Sequence, residues 1–263
     1  MDLGIKGKIA LVTAATKGLG RGSAEALAAE GCRVAICSRT AADVERAAGE
    51  LSAKHGTEVA GFTADMSQAG DIDALLDGVR AKLGDPEIVV CNAGGPPTGN
   101  FATTEIGQFL PAVELSMMSS IRLTYGTVEA MKAKGWGRIV YITSVSVKQP
   151  IPMILLSNTA RAGLTGFMKT VAREIAATGV TLNAVLPGAH RTERIMATVR
   201  TEVQDTGISE EEALEKRAQA IPMKSIGDAE DFGGVVAFIC SQQARYITGE
   251  NILVDGGAYA GLV

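Results

Sequence analysis

Residues 8–22 read KIALVTAATKGLGRG, and this stretch decides the fold. It starts as a short apolar run with the composition of a buried β-strand, and it then places glycines at positions 18, 20 and 22 where a helix begins. Glycine lets the backbone approach a ligand closely, and the free N–H groups at the start of a helix bind anions. The stretch therefore predicts a strand–turn–helix unit whose turn can hold a phosphate group.

Similar apolar runs recur along the chain, and alanine-rich amphipathic stretches separate them. The strand candidates are Lys8–Ala14, Arg33–Ser38, Glu58–Thr63, Ile88–Asn92, Arg138–Thr143, Thr181–Leu186 and Asn251–Val254. The helix candidates cover residues 18–30, 41–54, 68–83, 104–134, 153–178 and 228–240. The strand candidates are apolar throughout rather than alternating, which is typical of strands whose sheet is covered by helices on both faces.

This alternation predicts an α/β fold, a single-domain doubly wound parallel sheet (Rossmann) of about seven strands with right-handed crossovers. No linker-like or repetitive tract interrupts the pattern, so residues 1–263 are expected to form one domain. Residues 189–226 break the rhythm with a charged excursion that contains the helix-prone sequence SEEEALEKRAQA. Two interpretations stay open for it: a lid over a crevice at the sheet edge, or a solvated helical hairpin with no gating role.

The composition argues against several classes of protein. Lys and Arg (25) against Asp and Glu (29) give a net charge of −4 without a basic block, which argues against a nucleic-acid or anionic membrane surface. No uninterrupted apolar run reaches the roughly 18 residues of a membrane span, and the first residues lack the core of a secretory signal. The four cysteines form no C-x-x-C pair and only two histidines occur, so no metal site is predicted. We expect a reduced, cytoplasmic protein with buried free thiols.

Polar motifs follow the later strand candidates. In chain order they are Asp65, Asn92-Ala93-Gly94, Ser144, Pro187-Gly188 with Thr192, and Asp255-Gly256-Gly257. Together with Thr13, Gly18 and Gly20, these motifs resemble the short-chain dehydrogenase/reductase family over essentially the whole chain, with Ala14 in place of the first glycine of the family's fingerprint. The cofactor-binding residues that the motifs and the resemblance indicate are Thr13, Ala15, Thr16, Lys17, Gly18, Leu19, Gly20, Ser38, Arg39, Asp65, Met66, Asn92, Ala93, Gly94, Arg161, Pro187, Gly188 and Thr192.

The end of the second strand candidate indicates which nicotinamide cofactor binds. An NAD site presents a carboxylate there to the ribose 2′-hydroxyl, but this strand ends Cys37-Ser38-Arg39 and the next carboxylate is Asp43. The planar guanidinium of Arg39 suits a 2′-phosphate, and Lys17 adds positive charge. The sequence therefore favours NADP(H), the alternative being that Arg39 is an ordinary surface cation.

The catalytic positions depart from the family that the motifs resemble. The resemblance implies a Tyr-x-x-x-Lys pair, a serine at the fifth strand end and an asparagine on the fourth helix. Here the positions carry Ser157, Arg161, Ser144 and Ser116, so only Ser144 keeps its identity. A serine hydroxyl is a much weaker acid than a phenol of pKa about 10. Arginine stays protonated up to a pKa above ~12, so Arg161 can hold hydroxyl or anionic oxygens but cannot relay protons.

His190 is the leading candidate to replace the missing acid. It lies in the loop after Gly188 that the resemblance places beside the nicotinamide, and its ordinary pKa near 6.5 suits acid–base chemistry. The alternative is a loop histidine without a catalytic role. Ser144 and Ser157 remain able to donate hydrogen bonds to a developing oxyanion.

We therefore expect an NADP(H)-dependent oxidoreductase that transfers hydride between the nicotinamide and a carbonyl or alcohol of a small-molecule substrate. It would resemble 3-oxoacyl-(acyl-carrier-protein) reductases, but with a non-standard proton donor. Two alternatives stay open: a non-redox enzyme of the lyase, isomerase or dehalogenase type, and a dinucleotide-binding protein without turnover. The resemblance also implies a homotetramer or dimer, and no nucleic-acid or membrane partner is expected.

Overall fold

The computed structural model describes residues 1–262; Val263, the last residue of the predicted domain, lies outside the described residues. The strands are β1 (Ile9–Val12), β2 (Arg33–Ser38), β3 (Val59–Thr63), β4 (Ile88–Cys91), β5 (Gly137–Ile142), β6 (Val180–Pro187) and β7 (Asn251–Val254). They form one sheet in the order β3-β2-β1-β4-β5-β6-β7, and every neighbouring pair is parallel. The predicted sheet of about seven parallel strands is thereby confirmed.

Helices cover both faces of this sheet. They are α1 (Gly18–Ala29), α2 (Ala41–His55), α3 (Ala69–Lys82), α4 (Phe109–Val113), α5 (Ser119–Lys134), α6 (Leu155–Ile175), α7 (Glu193–Thr206), α8 (Glu210–Gln219) and α9 (Ala229–Ile239). Ile72 of α3 and Leu123 of α5 are buried in the core on one face, and Ala24 of α1 and Phe232 of α9 are buried in the core on the other. Both faces of the sheet are therefore shielded from solvent, which explains why the strands are apolar throughout.

The strand order reverses beside β1, and this reversal positions the site. β1 pairs with β2 on one side and with β4 on the other, so the crossovers that leave these strands run in opposite directions. In open parallel sheets a crevice forms at such a point, outside the carboxyl ends of the strands.

The four cysteines lie inside these two cores as free thiols, as the sequence predicts. Cys32 and Cys37 have no exposed surface, and burial raises the pKa of each thiol to about 12. Burial also raises the pKa of Cys91 and Cys240. All four thiols are therefore protonated at neutral pH and inaccessible to reagents in the folded protein.

The predicted single helix over residues 104–134 is wrong. Asn100 closes a turn by accepting hydrogen bonds from the chain at 102 and 103, and a capping box of Glu105 and Gln108 delays the helical segment to residue 106. A π-helical turn, Glu114–Met118, then separates α4 from α5. Such a turn inserts an extra residue into the helix, and no residue type in the segment marks its place, so the sequence gives no sign of it.

The excursion over 189–226 folds into α7 and α8, which pack against each other beyond the carboxyl edge of the sheet. Val199 of α7 is fully buried, and Ala218, Ile221 and Ile226 form a small separate apolar cluster. Within residues 1–262 no helix is both long and apolar enough to cross a bilayer, and no three His, Cys, Asp or Glu side chains are grouped to hold a metal ion.

Candidate active site

A cleft of about 520 Å³ lies at the carboxyl edge of the sheet, where the strand order reverses. Its volume is in the roughly 300–1,000 Å³ range of small-molecule and cofactor sites. The predicted residues that line it are Thr16, Lys17, Gly18, Leu19, Ser38, Arg39, Asp65, Met66, Asn92, Ala93, Gly94, Ser144, Ser157, Arg161, Pro187, Gly188, His190 and Thr192. Three of the predicted cofactor-binding residues, Thr13, Ala15 and Gly20, do not line the cleft.

Thr13 and Gly20 lie behind the glycine turn. The Thr13 hydroxyl donates to the Asn92 carbonyl at 2.6 Å and accepts from the Asn92 N–H at 2.9 Å. The Asn92 amide nitrogen in turn donates to the Ala14 carbonyl at 3.1 Å. A β-carbon at Gly20 would lie 2.5 Å from that carbonyl oxygen, so only glycine fits. These contacts fasten the turn after β1 to the end of β4.

The front of the turn fits a diphosphate. Gly18 has φ +60°, a left-handed conformation that glycine adopts without strain, and α1 begins there. No side chain caps this helix start, so its first N–H groups face the cleft without a side-chain partner. A β-carbon at Gly94, across the cleft, would meet nothing within 4 Å. The start of α1 is therefore an anion site with open space in front of it.

Positive charge lies at the end of β2. Arg39 and Lys17 line the cleft, and neither takes part in an ion pair among residues 1–262. Hydrogen bonds from Ser67, and to a lesser degree the charge of Arg39, lower the pKa of Asp65. Ser67 donates to the Asp65 carboxylate from its N–H at 2.9 Å and from its hydroxyl at 2.8 Å. Asp65 is therefore held by its own turn, and the two cations stay available to an anion.

Ser144, Ser157 and Arg161 lie together at the other end of the cleft. Arg161 donates from Nε to the Ser157 hydroxyl at 3.1 Å and from Nη1 to the Ile142 carbonyl at 2.8 Å. Ser144 accepts from the Ser146 N–H at 3.1 Å. Both serine hydroxyls act as acceptors in these contacts, so each keeps its own proton to donate to a ligand oxygen. The group can therefore stabilise a developing oxyanion.

Arg161 is a buried cation. Its side chain is 8% exposed, and burial, followed by the positive charge of Arg194, lowers its pKa to about 10. It is still protonated at neutral pH.

Ser116 occupies the π-helical turn beside α6. It is 2% exposed, and its hydroxyl has no hydrogen-bond partner among residues 1–262. Its buried position does not let it contact a ligand in the cleft, which it does not line.

The ring of His190 is packed rather than free. It is 3% exposed, lies edge-on to Phe232 at 5.4 Å between ring centres, and has Nδ1 3.3 Å from the Gly188 carbonyl. A β-carbon at Gly227 would lie 3.0 Å from its Nε2. Burial lowers the pKa of His190, more than the nearby Gly188 carbonyl, Asp231 and other groups raise it. The ring therefore joins the 188–192 loop to α9 and is mainly neutral at neutral pH.

The sequence analysis missed Arg194. It lines the cleft as the second residue of α7, and its guanidinium lies against Gly95, where a β-carbon would overlap it. The motif of this loop ends at Thr192, and a charged residue in an exposed helix carries no signal of its own. Only the crossing of α7 over the cleft brings Arg194 to the end of β4.

Lys148 and Tyr259 contact each other and are not among the residues that line the cleft. The Lys148 ammonium lies 5.5 Å from the centre of the Tyr259 ring, which brings the C-terminal segment back beside the Ser144 loop. Tyr125, by contrast, is 73% exposed on α5, and Tyr141 is buried with its hydroxyl 2.7 Å from that of Thr124. Neither of these two phenols reaches the cleft.

Comparisons with known proteins agree with this geometry. Residues 13–259 match the family model described as enoyl-(acyl carrier protein) reductase. The chain is 34% identical over 257 residues to a 3-oxoacyl-(acyl-carrier-protein) reductase of Salmonella typhimurium, covering 98% of this chain and 99% of that protein. It superimposes with a TM-score of 0.96 on L-sorbose reductase of Gluconobacter frateurii, solved with NADPH and L-sorbose, at 30% identity over 100% of both chains. An NADPH-dependent reductase involved in bacilysin biosynthesis gives a TM-score of 0.92 at 26% identity, over 98% of this chain and 100% of that one.

Proposed function

Because this chain belongs to the short-chain dehydrogenase/reductase family, it is a nicotinamide-dependent oxidoreductase, and we propose that it uses NADP(H) with a non-standard proton donor. The reaction is hydride transfer between the nicotinamide and a carbonyl or alcohol of a small-molecule substrate. L-sorbose reductase, solved with NADPH, and the NADPH-dependent reductase involved in bacilysin biosynthesis support this choice of cofactor.

One observation carries the proposal: a single cleft joins an uncapped helix start, two unpaired cations and a pair of serine hydroxyls beside a buried arginine. The helix start would hold the diphosphate, and Arg39 with Lys17 would hold the 2′-phosphate. This arrangement does not favour a non-redox enzyme, since such an enzyme has no use for a 2′-phosphate site.

The nicotinamide supplies the hydride when it is bound, and the chain's own residues do the rest. Ser144 and Ser157 donate hydrogen bonds to the substrate oxygen. Arg161, through its bond to the Ser157 hydroxyl, polarises that hydroxyl and stabilises the negative charge that develops. Pro187 and Gly188 line the same cleft.

The proton comes from a water held at Ser157 or from His190. The burial of His190 and its contacts with Phe232 and Gly227 support the water. The donor role of His190 stays a prediction.

The decisive experiment is a titration followed by a rate measurement. Calorimetry with NADPH and NADH on the purified chain should give tighter binding of NADPH. Absorbance at the reduced-nicotinamide band should then fall steadily with at least one member of a panel of ketones, imines and activated alkenes. Binding without consumption would support a protein without turnover, and conversion without nucleotide would support a non-redox enzyme.

We also propose that α7 and α8 form a lid within a single domain of residues 1–263. Arg194 and Ile195 of α7 line the cleft, so closure over a bound nucleotide would involve this helix. NADPH should then slow proteolysis at the loop after Gly207.

Assembly into a homotetramer or dimer in the cytoplasm is a further part of the proposal. Tyr125 of α5 packs on Phe167 of α6 at 6.4 Å between ring centres while staying largely exposed, and Leu110 is 68% exposed nearby in the chain. Exposed apolar side chains on these helices favour association between copies. Sedimentation of the chain, and of a Tyr125→Glu variant that should dissociate, tests it.

A further inference from the structure

Arg161 has more hydrogen-bond donors than the protein satisfies. A guanidinium carries five N–H groups, and the bonds to Ser157 and Ile142 use two of them. Both acceptors are neutral, and no ion pair of the described chain includes Arg161. A buried cation without a negative partner is costly, so the site favours a ligand that supplies one.

Arg194 is a second cation in the same part of the cleft. Its guanidinium rests on the backbone of Gly95, and its positive charge, after burial, contributes to lowering the pKa of Arg161. Like Arg161, it takes part in no ion pair within residues 1–262. Two like charges that face one cleft repel each other unless an anion lies between them.

No carboxylate of the cleft compensates the pair. Asp65 and Glu193 are the acidic residues that line it within the described chain. Asp65 lies after β3 and accepts from Ser67, and Glu193 is paired with Arg200 of the same helix. Neither Arg161 nor Arg194 therefore has a carboxylate partner among the residues that line the cleft.

We propose that Arg161 and Arg194 bind an anionic oxygen group of the substrate, a carboxylate next to the reacting carbon. The substrates are then short oxo acids and the corresponding hydroxy acids. The inference rests on the proposed function, because it takes the reacting carbon to lie at Ser144 and Ser157. Arg161 contacts Ser157 directly, so a carboxylate on its free N–H groups places the neighbouring carbonyl beside the serine hydroxyls.

The diphosphate of the cofactor is the other possible source of anionic oxygens. It already has a site at the uncapped start of α1 beside Lys17, whereas Arg161 lies on α6 and bonds the end of β5. Arg161 is therefore held away from the start of α1, which favours the substrate for this residue. Arg194 lies nearer to that helix start, since a β-carbon at Gly18 would lie 3.6 Å from Thr192, so the diphosphate can compete for Arg194. The experiment separates the two sources.

The test uses isobutyrate and isobutyramide, which share a shape and differ in charge, as unreactive probes. Calorimetry on the nucleotide-free protein and on the protein saturated with NADP+ should show isobutyrate binding about tenfold or more tightly than the amide, as a charge-assisted hydrogen bond provides. Arg194→Gln should reduce that ratio to about threefold or less. Arg191→Gln, an exposed arginine of the same loop that pairs with Asp228, is the matched control and should keep the full ratio.

A kinetic arm uses pyruvate and its methyl ester with NADPH. Arg194→Gln should raise KM for pyruvate about tenfold and leave KM for the ester unchanged, since only pyruvate carries the charge.

Two results would overturn the inference. The first is equal binding of isobutyrate and isobutyramide to the unaltered protein. The second is a loss of NADPH affinity in Arg194→Gln as large as the loss for isobutyrate, which would assign the arginine to the diphosphate. If neither nucleotide bound while the preference for isobutyrate persisted, the proposed function would fail and the carboxylate site would stand.

Discussion

At the scale of single residues, the coupling of Ser157 to Arg161 separates two tasks that a phenol and an ammonium would share. The guanidinium holds the hydroxyl in place at 3.1 Å and contributes positive charge. The serine can donate a hydrogen bond, but at neutral pH it cannot release a proton as readily as a phenol with pKa about 10. The site therefore retains stabilisation of an oxyanion and lacks an efficient side-chain acid.

Restoring both family residues should restore the acid. In Ser157→Tyr with Arg161→Lys we expect kcat for carbonyl reduction to rise about 100-fold, the lower limit of what general acid catalysis contributes. The measurement is the initial rate of NADPH oxidation with a saturating ketone. Ser157→Phe with Arg161→Lys is the control, because it has nearly the same volume without the hydroxyl. A flat rate, or an equal gain in the control, would contradict the assignment.

The unpaired charge of Arg39 predicts a difference between two nucleotides. Arg39→Asp should weaken NADPH binding by about 1.5–3 kcal/mol, as expected for a hydrogen-bonded charge, and NADH binding by much less. Calorimetry with both nucleotides measures this. Arg46→Asp makes the same charge change on the exposed side of α2 and should alter neither affinity. Equal losses for NADPH and NADH would remove the 2′-phosphate site.

His190 predicts a pH dependence of stability. Burial lowers its pKa in the folded protein, so between the ordinary value near 6.5 and the lower folded value the unfolded chain binds the proton more readily. Acidification through this window should therefore destabilise the unaltered protein more than His190→Gln. Urea unfolding of both proteins at pH 7.5 and 5.5 measures the difference, in which the titration of other groups cancels.

The same variant tests the proton donor. A packed, neutral ring implies that His190→Gln keeps the pH profile of kcat and most of its magnitude. Loss of a limb of that profile together with a large fall in kcat would identify His190 as the acid instead.

At the scale of elements, the turn between β1 and α1 carries strain at Ala14. This residue has φ +48°, in the left-handed region that costs a residue with a β-carbon about 1–2 kcal/mol. The Ala14 carbonyl also accepts a hydrogen bond from the Asn92 side chain. This contact, which fastens the turn to the end of β4, holds Ala14 in the strained conformation. The sequence predicts only that Ala14 stands where a glycine is usual.

Ala14→Gly should therefore stabilise the protein. The relief of strain exceeds the added freedom of the unfolded chain, roughly 0.4–1 kcal/mol, and leaves a gain of about 0.5–1 kcal/mol in the free energy of unfolding. Urea unfolding checks this. Ala15→Gly is the control: Ala15 is fully buried and has no positive φ, so that change should destabilise. A loss of stability in Ala14→Gly would show that the turn is unstrained.

The elements themselves are largely predictable from sequence. β2 and β7 have the predicted limits, and the first helix differs by one residue at its end. The errors arise where a strand gives way to a turn: Thr13 and Ala14 look like strand residues by composition, but tertiary hydrogen bonds draw them into the glycine turn. The π-helical turn at 114–118 inserts a residue into an otherwise helical stretch, and no residue type in the sequence marks it.

At the scale of the whole molecule, the parallel arrangement of the strands brings the site residues together. Motifs that lie far apart in the chain meet because all seven strands run the same way and end at one edge. This is why residues of the glycine turn, Asn92, Ser144 and Gly188 could be assigned to one cleft from sequence. Arg194 could not be assigned, because its place depends on the path of α7 across that edge, which neither periodicity nor a motif specifies.

Because the four cysteines are buried, their chemical labelling can measure the unfolding of the protein. No thiol is more than 1% exposed, and the four lie on β2, β4 and beside α1 and α9, in both cores. A thiol-directed dye at neutral pH should therefore react only with chains that have opened, and all four sites should be modified together. With excess dye the colour develops at the rate of unfolding, and with little dye it follows the open population, so one assay yields both quantities. Prompt labelling of a single thiol in native buffer would reveal a local opening that the packing does not predict.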